Sequence, residues 1–216
     1  MEILTFVVGP LSTNCFLVYS AETGESVVID PGFVAERELE RIMDQLERLS
    51  LKLKYIINTH GHPDHVSGDL PLKERTKAKI LIHRLDAYML HEPEVQLSAY
   101  RFKKFKPDIE LREDDEIRVG EHTLKVLHTP GHTMGSITLI GEGVAFTGDT
   151  LFAGSIGRVD LPHSSPREME YTLREKILTL PDDLKVYPGH GPATLMGVEK
   201  KTNPFLLELK RGGKLS

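Results

Sequence analysis

The stretch Thr59-His60-Gly61-His62-Pro63-Asp64-His65 packs four imidazole or carboxylate side chains into six residues. Imidazole nitrogens and carboxylate oxygens are donors for first-row metal ions, and a density this high favours ion binding over a solvated polar loop. The stretch follows the apolar run 55–58, which reads as a strand. Alternate residues of an extended chain share a face, so His60 and His62 can reach one ion together. Pro63 turns the chain and lets Asp64 and His65 aim at a second point nearby.

Three further segments share this pattern. Residues 123–127 lead into His128-Thr129-Pro130-Gly131-His132, residues 144–146 into Thr147-Gly148-Asp149, and residues 184–187 into Pro188-Gly189-His190. Each is an apolar run, then a small or rigid residue, then a ligand-type side chain. Any one alone is an ordinary turn. Together they match the rule that open α/β sheets bind ligands beyond the carboxyl ends of their strands.

The candidate donors are His60, His62, His65, His132, His190, Asp64 and Asp149. Five imidazoles and two carboxylates exceed what one tetrahedral ion takes, and suit two divalent ions with a carboxylate spanning both and a position left for water. With no thiolate in the set, zinc is the leading choice and iron or manganese the alternatives. Water bound in this way titrates near pH ~7. The expected chemistry is hydrolysis, with Asp64 orienting the nucleophile as the catalytic side chain.

These residues must be held by a scaffold. Strands are predicted over 3–8, 14–19, 26–30, 55–58 and 80–83, and again over 123–127, 136–140, 144–146 and 184–187. Residues 35–49 carry Leu39, Ile42, Met43 and Leu46 on one helical face, and a second helix is predicted over 66–75. Ser165-Pro166-Arg167-Glu168 has the form of a capping box opening a helix to about 178. Strands and helices mixed from end to end predict an α/β sandwich. No repeat or linker divides the chain, so 1–216 reads as a single domain, with 91–116 unassigned.

The remaining composition narrows the partners. A net charge of −5 gives no basic footprint for nucleic acid or an anionic membrane. The bases and aromatics of 100–106 read as a solvated stretch or a substrate-side flap. Glu2 and Gly9-Pro10 argue against a signal peptide, and no run is long and apolar enough to span a bilayer. Cys15, the single cysteine, lies in an apolar run and reads as core. A cytoplasmic setting is expected. His83, His91, His122, His128 and His163 stay outside the ligand set, although His163 is placed to line a substrate mouth. Lys200, Lys201, Lys210, Arg211 and Lys214 read as a solvated tail. The oligomeric state is not readable.

The pieces THGHPDH at 59–65, HTPGHTMGSI at 128–137, FTGDTLFAGSIGRVD at 146–160 and YPGHGPATLMGVEKKTNPFL at 187–206 occur in this order, after Asp30-Pro31-Gly32. In this the chain resembles the metallo-β-lactamase superfamily and, within it, the glyoxalase II-like (hydroxyacylglutathione hydrolase) branch. The resemblance implies a four-layer αβ/βα sandwich with the metals at one edge. It assigns His60, His62 and His132 to one ion, Asp64, His65 and His190 to the other, and Asp149 to a bridge. The implied substrate is S-D-lactoylglutathione or a similar acyl thioester, cleaved to a hydroxy acid and a free thiol. The likeness is to the short form without the C-terminal helical domain. Arg158 stands where the branch places a basic glutathione contact, and Asp160 where it places an aromatic residue. The same scaffold also hosts persulfide dioxygenases with a single iron, and hydrolases of other esters, lactones or amides. The commonest β-lactamases would have cysteine at position 149. A metal-stabilised binding module is the reading from outside catalysis.

Overall fold

The computed structural model describes residues 1–92, 99–100 and 103–215, so Arg101 and Phe102 of the basic-aromatic stretch lie outside the described residues. The first half runs β1 (Glu2–Val8), β2 (Thr13–Tyr19), β3 (Glu25–Ile29), α1 (Glu36–Arg48), β4 (Lys52–Asn58), α2 (Pro63–Val66), α3 (Asp69–Thr76), β5 (Lys79–His83) and β6 (Ile109–Leu111). The second runs β7 (Glu116–Val119), β8 (His122–His128), β9 (Ile137–Gly141), β10 (Val144–Gly148), β11 (Leu151–Phe152), β12 (Ser155–Ile156), α4 (Pro166–Glu175), β13 (Lys185–Pro188), β14 (Thr194–Leu195), α5 (Met196–Thr202) and α6 (Pro204–Lys210).

Two six-stranded sheets result, ordered β1-β2-β3-β4-β5-β6 and β14-β13-β10-β9-β8-β7. Strands β3 to β6 pair in parallel, as do β10 and β13. Their inner faces meet through Phe16, Ile29 and Ile57 on one side and Val126, Leu139 and Phe146 on the other. The outer face of the first sheet packs on Leu39, Ile42 and Leu46 of α1 and Leu72 of α3. The outer face of the second packs on Met169 and Leu173 of α4 and Leu206 and Leu209 of α6. Helix, sheet, sheet, helix is the four-layer sandwich. Cys15 is fully buried in the first outer core. Among the described residues no helix is long and apolar enough to cross a membrane.

Local chemistry explains the boundaries. Ser165 Oγ accepts a hydrogen bond from Glu168 N at 3.2 Å with Pro166 at the first helical position, so α4 starts where the capping box put it. The helix expected over 66–75 is two helices broken at Gly68. Gly68 donates its N–H to the Pro31 carbonyl at 2.7 Å, and a Cβ there would lie 2.2 Å from that oxygen. The break presses the chain against the loop that carries Asp30. Lys201, Lys210, Arg211 and Lys214 are exposed, but Lys200 is half-buried and pairs with Asp182 at 2.7 Å, and the segment is not a loose tail. It forms α5 and α6, with Asn203 Oδ1 capping Phe205 N at 3.1 Å before Pro204 in the first turn.

Candidate metal centre

Four strand ends feed one rim of the sandwich. His60 and His62 leave β4, Asp64 and His65 sit on α2, and His132, Asp149 and His190 follow β8, β10 and β13. The structure brings all seven together. The ligating atoms of His60, His62 and His132 lie within 4.8 Å of one another, as do those of Asp64, His65 and His190, and those of His60, His65 and Asp149. His62 Nδ1 is 2.9 Å from His132 Nε2. Asp149 stands between the groups, Oδ1 at 3.5 Å from His65 Nε2 and Oδ2 at 3.5 Å from His132 Nε2 and 3.6 Å from His190 Nε2. His190 and Asp149 are partly exposed while the other five are buried, so the cluster opens to solvent on their side.

In four of the five histidines the outward ring nitrogen faces an oxygen, which sets where the lone pairs point, while His62 Nε2 has no partner. His132 Nδ1 donates to the Arg158 carbonyl at 2.9 Å and His190 Nδ1 to the Leu11 carbonyl at 3.1 Å. His65 Nδ1 faces Asp30 Oδ2 at 3.0 Å, and His60 Nδ1 faces Thr59 Oγ1 at 3.2 Å. Each of these four rings therefore turns Nε2 inward, the arrangement that orients ligating imidazoles. The inward atoms are underserved: His60 Nε2, His65 Nε2 and Asp149 Oδ1 are buried without a hydrogen-bond partner. Buried polar atoms are seldom left so, and a cation among them supplies what is missing. The donor set fits a pair of divalent ions.

Electrostatics separates the two groups. Burial, with the charges of His65, His62 and His132, pushes His60 well below its ordinary value, and burial with His132 brings His62 down to about 3. Burial opposes charge on His65 too, yet Asp30, Asp64 and Asp149 hold it up at about 10. Asp64 stays below the usual carboxylate range despite its burial, because His65 and His190 stand beside it. In the metal-free chain His60 and His62 are neutral, while His65 carries a proton that an ion must displace.

Sequence reasoning did not assign three residues that organise the site. Asp30, in a left-handed backbone conformation at φ 51, accepts hydrogen bonds from Thr59 N and Thr59 Oγ1, both at 2.7 Å, and backs His65. Buried Asp86 accepts from both ligand loops, and Tyr100 Oη accepts from Leu11 N at 2.9 Å, steadying the loop whose carbonyl holds His190. A signal for the first existed in Asp30-Pro31-Gly32. Gly32 is needed because a Cβ there would fall 1.5 Å from the Asp64 carbonyl oxygen. Arg158 offers its carbonyl to His132, while its exposed guanidinium pairs with Asp160 at 2.9 Å. His163 is exposed with φ 59, five residues further along the same loop.

Two of the histidines outside the cluster pair with each other. His83 and His128 stack with centroids 4.2 Å apart and planes 18° from parallel. Burial, then the charges of His128 and Arg84, bring His83 down to about 4, and burial lowers His128 as well. Between the ordinary value near ~6.5 and about 4 the unfolded chain binds protons that the folded chain refuses, so stability falls as pH drops through that window. His83→Phe keeps a stacking ring and removes this dependence. Urea denaturation at pH 7.5 and pH 5 should show the variant losing less stability on acidification than the parent, by on the order of 1–2 kcal/mol.

A helix–sheet–sheet–helix sandwich with an imidazole- and carboxylate-lined rim is the architecture of one class of metalloenzyme. The chain belongs to the metallo-β-lactamase superfamily, whose profile matches residues 8–190. Among its relatives, the hydroxyacylglutathione hydrolase GloC of Haemophilus influenzae is 37% identical, over 95% of this chain and 98% of that one. The mitochondrial persulfide dioxygenase ETHE1 of Mus musculus is 32% identical, over 90% of this chain and 71% of that one. Of the solved structures, the BLEG-1 B3 metallo-β-lactamase superposes with TM-score 0.87 at 31% identity, over 95% of this chain and 99% of that one. TTHA1623 in a di-iron-bound form superposes with TM-score 0.80 at 34% identity, over 94% and 100%.

Proposed function

We propose that the chain is a dinuclear thioester hydrolase that cleaves S-D-lactoylglutathione, or a similar hydroxyacyl thioester, to the hydroxy acid and the free thiol. The observation that carries the hydrolytic part is the cluster with its orphaned inward atoms, His60 Nε2, His65 Nε2 and Asp149 Oδ1. The thioester class is supported by the likeness along nearly the whole chain to the Haemophilus enzyme.

His60, His62 and His132 would hold one ion, Asp64, His65 and His190 the other, with Asp149 reaching both. The ions, zinc or iron, supply Lewis acidity and lower the pKa of bound water to about 7. Asp64, kept ionised by its histidine neighbours, accepts a hydrogen bond from the attacking water and fixes its direction. Asp30 holds the His65 ring, and the Arg158 and Leu11 carbonyls hold those of His132 and His190. A thiolate leaves without strong protonation, since thiols ionise near pH ~8.5. Arg158 can exchange Asp160 for a substrate carboxylate, with His163 five residues further along the same loop. A cytoplasmic setting belongs to this reading.

Purified metal-loaded protein should hydrolyse S-D-lactoylglutathione well above the buffer rate, and no turnover would reject that substrate. Arg158→Ala should raise KM about 3- to 10-fold with kcat nearly unchanged, as loss of uniform binding does. Unchanged KM and kcat would remove Arg158 from the substrate contact. The mouse dioxygenase relative supports a second reading, oxidation of a glutathione persulfide at a single iron. Oxygen uptake with glutathione persulfide, and one ion per chain on elemental analysis, would select it.

A further inference from the structure

Two buried carboxylates stand behind the cluster, and only one of them reaches both halves of it. Asp30 reaches His65 directly and His60 through Thr59 Oγ1. Asp86 touches no ligand side chain of the second group. It sits just past the end of β5 and accepts from Gly61 N at 3.0 Å and Thr133 Oγ1 at 2.6 Å through Oδ2, and from Gly135 N at 2.6 Å through Oδ1. Gly61 lies between His60 and His62, and Thr133 directly follows His132. One carboxylate thus ties the β4 loop of the first sheet to the β8 loop of the second, at the three residues of the first group.

The surroundings leave little slack. A Cβ on Gly135 would lie 2.5 Å from Asp86 Oδ1, and one on Gly61 would lie 2.7 Å from Met89 Cβ. Thr133 is fixed further by Ser136, whose Oγ accepts from Thr133 N at 3.1 Å and lies 2.7 Å from its Oγ1. Hydrogen bonds from neutral donors to a buried carboxylate are among the stronger ones, so this clamp is stiff.

We infer that Asp86 is a positioning residue for the ion held by His60, His62 and His132 alone. The inference rests on the reading of these residues as ligands. Its consequence is that this ion can be weakened separately by a change that removes no ligand.

Cadmium-113 tests this, since a three-imidazole site and a site of one carboxylate and two imidazoles give separate NMR resonances. The parent chain should show two resonances and bind two ions. Asp86→Asn should weaken the three-imidazole ion about 10- to 100-fold, the usual cost of losing an outer hydrogen-bond partner, and leave the other within about threefold. Asp30 backs both His60 and His65, so Asp30→Asn should weaken both ions. Circular dichroism and the thermal midpoint of the metal-free variants report the fold independently. Should Asp86→Asn not fold, Thr133→Val keeps the carboxylate and removes one donor, and the same selective weakening of the three-imidazole ion is expected. Equal weakening of both ions in folded Asp86→Asn or Thr133→Val, or parent affinity at both, overturns the inference. A parent chain that binds no cadmium overturns the ligand assignment instead.

Discussion

Asp64→Asn lowers kcat for thioester hydrolysis by about 10²- to 10⁴-fold and leaves the secondary structure in place, the range expected when a positioned acid–base group is lost. The substitution is close to isosteric. It removes a negative charge that lies 3.3 Å from His190 Nε2 and 3.6 Å from His65 Nε2. An amide can still fill the space, but it ligates poorly and cannot accept equally from two sides. Asp64 sits on the short α2 helix and, unlike Val66 on the same helix, belongs to none of the apolar clusters of the described residues, so the fold should survive. The measurement is kcat on S-D-lactoylglutathione with circular dichroism and metal content on the same sample. Full activity in the amide variant would remove Asp64 from the chemistry. Loss of fold together with activity would favour the binding-module reading.

Removing the ions with a chelator lowers the thermal midpoint by about 10 °C or more. Each ion present at a thousandfold excess over its dissociation constant adds about 4 kcal/mol. In a chain of this size each kcal/mol moves the midpoint by about 2–4 °C. The effect has a pH signature. In the metal-free chain His65 titrates near about 10, held up by Asp30, Asp64 and Asp149 against its burial. Loading at pH 7 must therefore expel that proton, and ion affinity falls as the pH is lowered. Calorimetric titration with zinc in buffers of different ionisation enthalpy should show at least one proton released per chain. A midpoint unchanged by chelation would contradict the ligand set.

Most of the site was legible because its residues obey a local rule. A run such as 144–146 ending in Gly148-Asp149 announces a strand and a presented side chain within one short window. The order of the segments, matched to a known family, then assigned the ions. The supports were harder to see. Asp86 and Tyr100 act on loops that are distant in sequence, and nothing in their own neighbourhoods marks them. The break at Gly68 has the same origin: the spacing of apolar residues over 66–75 is helical, but contact with Pro31 overrides it. Helix α6 is a different kind of miss. Asn203-Pro204 is a readable cap, obscured by the basic residues around it. Strands β6 and β7 are only three and four residues long, too short to carry a period, even though Pro107-Asp108 and Asp114-Asp115 stand just before them as turn residues.

The two sheets divide the seven candidate ligands between them, four from the first and three from the second. A loaded centre is therefore a clasp across the seam at one rim. Opening motions that slide one half of the sandwich over the other should be damped there and left free at the opposite rim. Amide exchange would register this as protection gained at the carboxyl ends of β4, β8, β10 and β13, and little change where those strands begin.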